Sequence, residues 1–159
     1  MRIVLARIAM GLKTFIRCGF ILMTVILTIG TGYADENKYR SPELVEGTVK
    51  TSAQQAKALY DQGVVFIDVR NPRLYAKGHI PGAFHLDLKY NFDESTLGAV
   101  AEKDQPIVIY CSGVKCSRSY RASEQAVSWG YTKVHYFRGG IVDWKKADYP
   151  VVAEKQEAE

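Results

Sequence analysis

Val108-Ile109-Tyr110-Cys111-Ser112-Gly113-Val114-Lys115-Cys116-Ser117-Arg118-Ser119 is the stretch on which the reading of this chain turns. An apolar, β-branched run leads into a short loop rich in Cys, Gly and Ser, and a helix-like segment follows. A strand that ends in a tight turn and enters a helix aims the turn's N–H groups, with the positive end of the helix dipole, at whatever sits inside the turn. That setting favours a thiolate over a thiol and lowers the pKa of the sulfur. Cys111 is therefore a candidate nucleophile.

The same strand-then-helix rhythm extends outward in both directions. Thr48-Val49 marks a short first strand, and Thr51 or Ser52 caps a helix that runs to about Gln62, with Gly63 as its stop. Val64 to Val69 suits a strand buried on both faces, interrupted only by Asp68. Asp68 reads as a strand-end acid that organises the next loop through Arg70 or backbone N–H groups. Asn71-Pro72 opens a loop, a short helix begins at Leu74-Tyr75, and Gly78-His79-Ile80-Pro81-Gly82-Ala83 fixes a backbone bend before the apolar residues 84 to 88. His79 reads as a hydrogen-bonding strut, and His85 and His135 as structural residues on strands. A helix is expected over Ser95 to Ala101, a strand over Ile107 to Tyr110, a helix over Ser117 to Trp129 with Ser117 as its cap, and a strand over Val134 to Phe137. Gly139-Gly140 then turns into a last helix carrying Ile141 and Trp144. Strands alternating with helices at this spacing predict an α/β layer fold with a largely parallel sheet, whose reactive site lies at the carboxyl ends of the strands.

The chain has 159 residues, the size of one ordinary domain. Its formal net charge of +4 is concentrated at one end, since Arg2, Arg7, Lys13 and Arg17 fall in a stretch without acidic residues. The remaining 17 Lys and Arg match the 17 Asp and Glu, so no nucleic-acid partner is expected. The basic start, the apolar run from Cys18 to Ile29 and the small residues Gly32 and Ala34 together have the layout of a secretory signal peptide. The expected organisation is a signal peptide over 1–34, a linker over 35–46, a folded domain over 47–153 and an acidic tail over 154–159. Location in the periplasm, or export by another route, follows as an expectation. The apolar run falls short of the ~20 residues of a spanning helix, so no stable membrane anchor is expected after cleavage.

Export leaves two of the three cysteines, Cys111 and Cys116, both in the organising loop. In an oxidising compartment two nearby thiols can form a disulfide, and one can resolve an oxidised or sulfur-loaded state of the other. Two cysteines and three scattered histidines offer no zinc-ligand spacing, so no metal or other cofactor is expected.

Four motifs now fall in one order: Ile67-Asp68-Val69-Arg70, then Gly78-His79-Ile80-Pro81-Gly82-Ala83, then Tyr110-Cys111 with its glycine-containing loop, then Gly139-Gly140 followed by Trp144. In this the chain resembles the single-domain rhodaneses over roughly residues 47 to 152. The resemblance implies a three-layer fold with a mainly parallel central sheet flanked by helices. It also implies a sulfurtransferase in which Cys111 takes the outer sulfur of a donor such as thiosulfate as a persulfide. That sulfur then passes to a thiol or a cyanide-like acceptor, in a cycle with ping-pong kinetics. The donor is a small anion, and the backbone of Ser112, Gly113, Val114, Lys115, Cys116 and Ser117, with Lys115 and Arg118 nearby, is its expected cradle. The chain departs from the family at the sixth loop position, where thiosulfate-using members often carry a basic residue and this one has Cys116. Cys116 could intercept the persulfide, expel sulfide and leave a Cys111–Cys116 disulfide for a thiol reductant protein to reopen. It could equally be a small loop residue, or half of a disulfide that shields the nucleophile.

Three other readings compete. A phosphatase loop needs five residues between Cys and Arg, and Cys111 to Arg118 encloses six. A thiol–disulfide protein would use Cys111 and Cys116 as its function, although their spacing differs from Cys-X-X-Cys. A non-catalytic module would keep the fold and use the loop to recognise a partner.

Overall fold

The computed structural model describes residues 39–154. Five parallel strands, β1 (Thr48–Lys50), β2 (Val65–Asp68), β3 (Phe84–His85), β4 (Ile107–Tyr110) and β5 (Val134–Phe137), form one sheet in the order β1-β5-β4-β2-β3. Five helices connect or flank them: α1 (Ala53–Asp61), α2 (Pro72–Ala76), α3 (Glu94–Gly98), α4 (Arg118–Ser128) and α5 (Gly140–Lys146).

The layering follows from strand alternation. Successive side chains on a strand point to opposite faces. Ile107 and Ile109 of β4 therefore join Ile67, Leu97, Ala122 and Ala126 on the face covered by α3 and α4. Val108 and Tyr110 join Phe66, Ala56, Ile141 and Trp144 on the face covered by α1 and α5. Both faces of β4 are buried, which is why its sequence is an unbroken apolar run rather than an alternating one. On the second face Trp144 is completely buried, its rings ringed by Tyr60, Phe66, Phe137 and Tyr149 at centroid distances of 5.0 to 6.4 Å. Its indole N–H donates to the Pro150 carbonyl at 2.8 Å, so the ring contributes its area without leaving a polar atom unpaired.

The helix starts obey local rules. Ser52 caps α1 in a reciprocal capping box with Gln55, and Asp93 does the same for α3 with Thr96. The Asp93 cap starts α3 at Glu94 and the regular helix closes at Gly98, short of the expected Ala101. Asn71 caps α2, with Pro72 in the first turn where its missing N–H costs nothing. Ser117 departs from expectation. It stands at the start of α4 with φ −81° and ψ −10°, already helical, and its side chain makes no capping bond. A side-chain cap needs an extended residue, and the tight turn before Ser117 does not provide one.

Two end segments also differ from expectation. Within the stretch read as a linker, Ser41 and Val45 are buried against the domain. Glu154, read as the start of an acidic tail, donates its N–H to the Ala76 carbonyl at 3.0 Å. The proposed signal peptide, and the tail beyond Glu154, lie outside the described residues.

Candidate functional site

Strand order places the site. The chain leaves β2 toward the β3 edge and leaves β4 toward the β5 edge, so the two loops diverge at the carboxyl ends of neighbouring central strands. Such a divergence opens the crevice in which α/β sheets hold ligands. Cys111, the first residue beyond β4, lies there with the Asp68–Arg70 corner on one side.

The loop from Cys111 to Cys116 is fastened by its own carbonyl groups. Cys111 O accepts from Ile141 N at 3.0 Å, Ser112 O from Val142 N at 3.1 Å, and Gly113 O from Cys116 N at 2.8 Å. The first two bonds come from the first turn of α5, which is drawn against the loop because Gly140 has no side chain. A Cβ at Gly140 would overlap the Cys111 carbonyl, and its φ of +53° suits glycine.

The fourth carbonyl, Val114 O, is held from farther away. Ser41 donates to it twice, through its N–H at 2.8 Å and its hydroxyl at 3.1 Å. Arg138, just past β5, donates from Nε at 3.1 Å and Nη2 at 2.8 Å to the carbonyl of Ser41 itself. The Tyr136 hydroxyl donates to Pro42 O at 3.2 Å, and Glu43 pairs with Arg138 at 2.7 Å and with Lys50. The Lys50 hydrogen bond and the Arg138 charge hold the Glu43 carboxyl below the usual carboxylate range. Residues 41–43 thus strap the reactive loop to the end of β5. Sequence reasoning missed Ser41 and Arg138, whose only signal was a polar Ser-Pro pair distant in the chain.

Cys111 and Cys116 are joined as a disulfide, with their Cα atoms 6.4 Å apart, inside the range that a bridge can span. The two sulfurs differ in access. Cys111 is 1% exposed and packs in the core with Ile67, Val69 and Leu86. Cys116 is only partly buried and lines a pocket of about 550 Å³. The rest of that wall comes from Ser112, Gly113, Val114 and Lys115 of the loop and from Gly139, Val142, Asp143 and Lys146. Lys146 and Val142, both on α5, were not anticipated. Helix α5 brings a second cation beside Lys115, and Lys146 is 3.2 Å from Asp143.

Two of the expected cradle residues lie away from that wall. Ser117 does not line the pocket, and Arg118 is committed elsewhere. The Arg118 guanidinium donates to Asp87 Oδ1 at 2.6 Å and to Val69 O at 3.1 Å, tying the start of α4 to the loops that follow β2 and β3. An arginine so held braces the start of α4.

The Asp68–Arg70 corner behaves as the sequence suggested. Asp68 is fully buried and Arg70 nearly so. The carboxylate accepts from the Arg70 N–H at 3.0 Å and from its Nε at 2.9 and 3.0 Å, while Nη2 also reaches Gly78 O at 2.9 Å. Tyr110 stands against this pair, and burial together with the Asp68 charge raises the pKa of its phenol far above the ordinary value. His79 and His85 sandwich Tyr75, with ring centroids 3.7 and 4.4 Å away. Their ring nitrogens meet the carbonyls of Tyr75 at 3.0 Å and Arg70 at 2.8 Å. His135 meets the Thr51 hydroxyl at 3.2 Å. All three histidines are struts. Among the described residues no group of three His, Cys, Asp or Glu side chains is arranged to hold a metal ion.

Comparison with known proteins agrees with this architecture. A thiosulfate sulfurtransferase GlpE of Pseudomonas fluorescens is 38% identical over 97 residues, 61% of this chain and 84% of that protein. A protein of the same name from Stutzerimonas stutzeri is 34% identical over 65% of this chain and 90% of its own length. Among solved structures, the BH2092 protein of Bacillus halodurans superposes with a TM-score of 0.60 at 25% identity, over 66% of this chain and 77% of that one. The family description "Rhodanese-like domain" matches residues 52–147, which take in α1 through α5 and the whole Cys111 loop. The chain belongs to the rhodanese-like domain family.

Proposed function

We propose that this protein is a sulfurtransferase in which the Cys111 thiolate takes the outer sulfur of a small anionic donor such as thiosulfate and passes it to a thiophilic acceptor. The observation that carries the reading is the position of Cys111. It stands one residue past the central strand, in a loop fastened by its carbonyls, ahead of the N-terminus of the eleven-residue helix α4. That placement stabilises a thiolate, and a bound anion, by the helix dipole and nearby N–H groups. The GlpE relatives, named as thiosulfate sulfurtransferases, support thiosulfate as the donor.

The chemistry balances without a cofactor. The thiolate attacks the outer sulfur of thiosulfate, a Cys111 S–S bond forms, and sulfite leaves with the electron pair of the broken bond. Lys115 and Lys146, on the wall of the adjoining pocket, lower the cost of bringing a doubly charged donor to a thiolate. The test uses reduced protein exposed to thiosulfate, read by intact mass and by thiocyanate formed on adding cyanide. Cys116→Ser, which keeps Cys111, should gain one sulfur and yield thiocyanate, and Cys111→Ser should do neither; sulfur uptake or thiocyanate that survives the loss of Cys111 refutes the assignment.

Export is part of the proposal and rests on the basic, then apolar, N-terminal sequence with small residues at Gly32 and Ala34. Fractionation of cells carrying the full chain, with sequencing of the mature N-terminus, tests it. Soluble protein outside the cytoplasm beginning at Asp35 is expected, and full-length protein in the cytoplasm rules it out.

A further inference from the structure

We propose that Cys116 is a resolving thiol, which releases the sulfur held on Cys111 as sulfide and is afterwards the point at which a reducing thiol enters. This rests on the sulfurtransferase reading above and adds to it a product, a second reacting sulfur and a class of partner.

Three observations meet here. The bridge between the two cysteines shows that Cys116 Sγ reaches Cys111 Sγ within this loop, across Cα atoms 6.4 Å apart. The sulfur a persulfide would attach to is therefore within reach of an internal nucleophile. Next, Cys111 is 1% exposed and embedded among Ile67, Val69 and Leu86, whereas Cys116 opens on the pocket of about 550 Å³. An incoming thiol thus meets Cys116 first. Finally, that pocket carries Lys115 and Lys146 against the single carboxylate of Asp143, with Val142 as an apolar wall. The cations favour the thiolate form of an entering thiol, and Val142 suits its carbon stem.

The steps close on themselves. The Cys116 thiolate attacks Cys111 Sγ, the Sγ–Sγ bond forms, and the bond to the outer sulfur breaks. The outer sulfur leaves with both electrons and, with the proton from Cys116, departs as hydrosulfide. The sulfane sulfur is reduced by two electrons and the cysteine pair is oxidised by two. An external thiolate then attacks Cys116 Sγ from the pocket and expels the Cys111 thiolate. A second thiol resolves the mixed disulfide, so each turn consumes two thiols and yields one external disulfide. The partner is thus a low-molecular-weight monothiol or a dithiol small enough to enter the pocket.

Reduced full-length protein, freed of thiol under nitrogen and given one equivalent of thiosulfate, decides the matter. The wild type should release one sulfite and one sulfide per chain and end two hydrogens lighter than it began. Cys116→Ser, and Cys116→Ala beside it, should release sulfite only and end one sulfur heavier. A wild type that keeps its added sulfur and releases no sulfide overturns the resolving role and leaves the transferase intact. If neither wild type nor variants take up sulfur, the transferase reading falls and takes this inference with it. Because sulfide release is read on the wild type, the result does not depend on a variant's folding. For the entry step, the oxidised protein is mixed with glutathione and iodoacetamide and its peptides are mapped. Glutathione on Cys116 with the alkyl group on Cys111 is expected, and the reverse pattern rejects entry at Cys116.

Discussion

Two clamps hold the reactive end of the sheet, and they are built over different distances in the chain. The corner after β2 joins Asp68 to Arg70, two residues apart, in a buried pair whose geometry follows from one turn of backbone. The strap on the other flank joins Ser41 to Val114 and to Arg138, 73 and 97 residues away. The first is a local motif carrying a buried charge. The second is a set of long-range hydrogen bonds on partly buried atoms, and its effect falls on the loop itself. The Cys111 loop thus lies between a fully buried charged pair on one side and a strap of partly buried hydrogen bonds on the other.

The comparison can be broken at the corner first, where the largest effect is expected. Asp68→Ala leaves the Arg70 charge buried without its carboxylate, a loss of about 3–5 kcal/mol for such pairs. Urea unfolding should show a drop of that size, and a change below about 1 kcal/mol would mean the corner is not the stronger clamp. Gly140→Ala comes next. The left-handed backbone alone costs about 1–2 kcal/mol for a residue with a Cβ, and relief of the overlap with the Cys111 carbonyl has to move the loop. Sulfur transfer should therefore fall more steeply than stability; equal losses would show that the contact is structural only.

The strap is tested by Ser41→Ala, which deletes the hydroxyl bond to Val114 and keeps the N–H bond. About 1 kcal/mol of stability should be lost, the net worth of one such bond, with a several-fold drop in turnover. Arg138→Lys, which cannot reproduce the two-pronged grip on Ser41 O, should resemble it, and unchanged turnover in both would show that the strap does not set the loop.

The smallest effect concerns pH, at the base of the strap. Burial lowers the His135 pKa below its ordinary value. The unfolded chain then takes up a proton near pH 6.5 that the folded chain does not, so stability is present above that pH and declines as pH falls through it. The Tm should slip between pH 7 and pH 5.5 and slip less in His135→Gln. Parallel curves for the two proteins would exclude His135 as a source of the decline.

The elements differ in how much of them could be read in advance. Strand β4 stands where its apolar run put it, since a strand buried on both faces writes itself as continuous hydrophobicity, and β5 stands where expected although His135 interrupts its apolar residues. The strand expected at His85 is two residues long, and just beyond it Asp87 accepts from Arg118 and from the Lys89 N–H. Ser117 failed as a cap for a local reason, its helical backbone, and Arg118 left the cradle for a distant one, the Asp87 carboxylate. Ser41 gave no sign of its role, because nothing in Ser-Pro-Glu announces a carbonyl 73 residues away.

Sequence by itself determined the alternating layers, the position of Cys111 past the central strand, the Asp68–Arg70 corner and the closeness of Cys111 to Cys116. These depend on periodicity and on neighbours a few residues apart. Only the tertiary structure decided which cysteine faces the pocket, that Lys146 and Val142 share its wall, that Arg118 braces Asp87, and that Ser41 and Arg138 hold the loop. Each of those depends on which surfaces of separate elements meet once the sheet is covered, and burial and hydrogen bonding settle that for the chain as a whole.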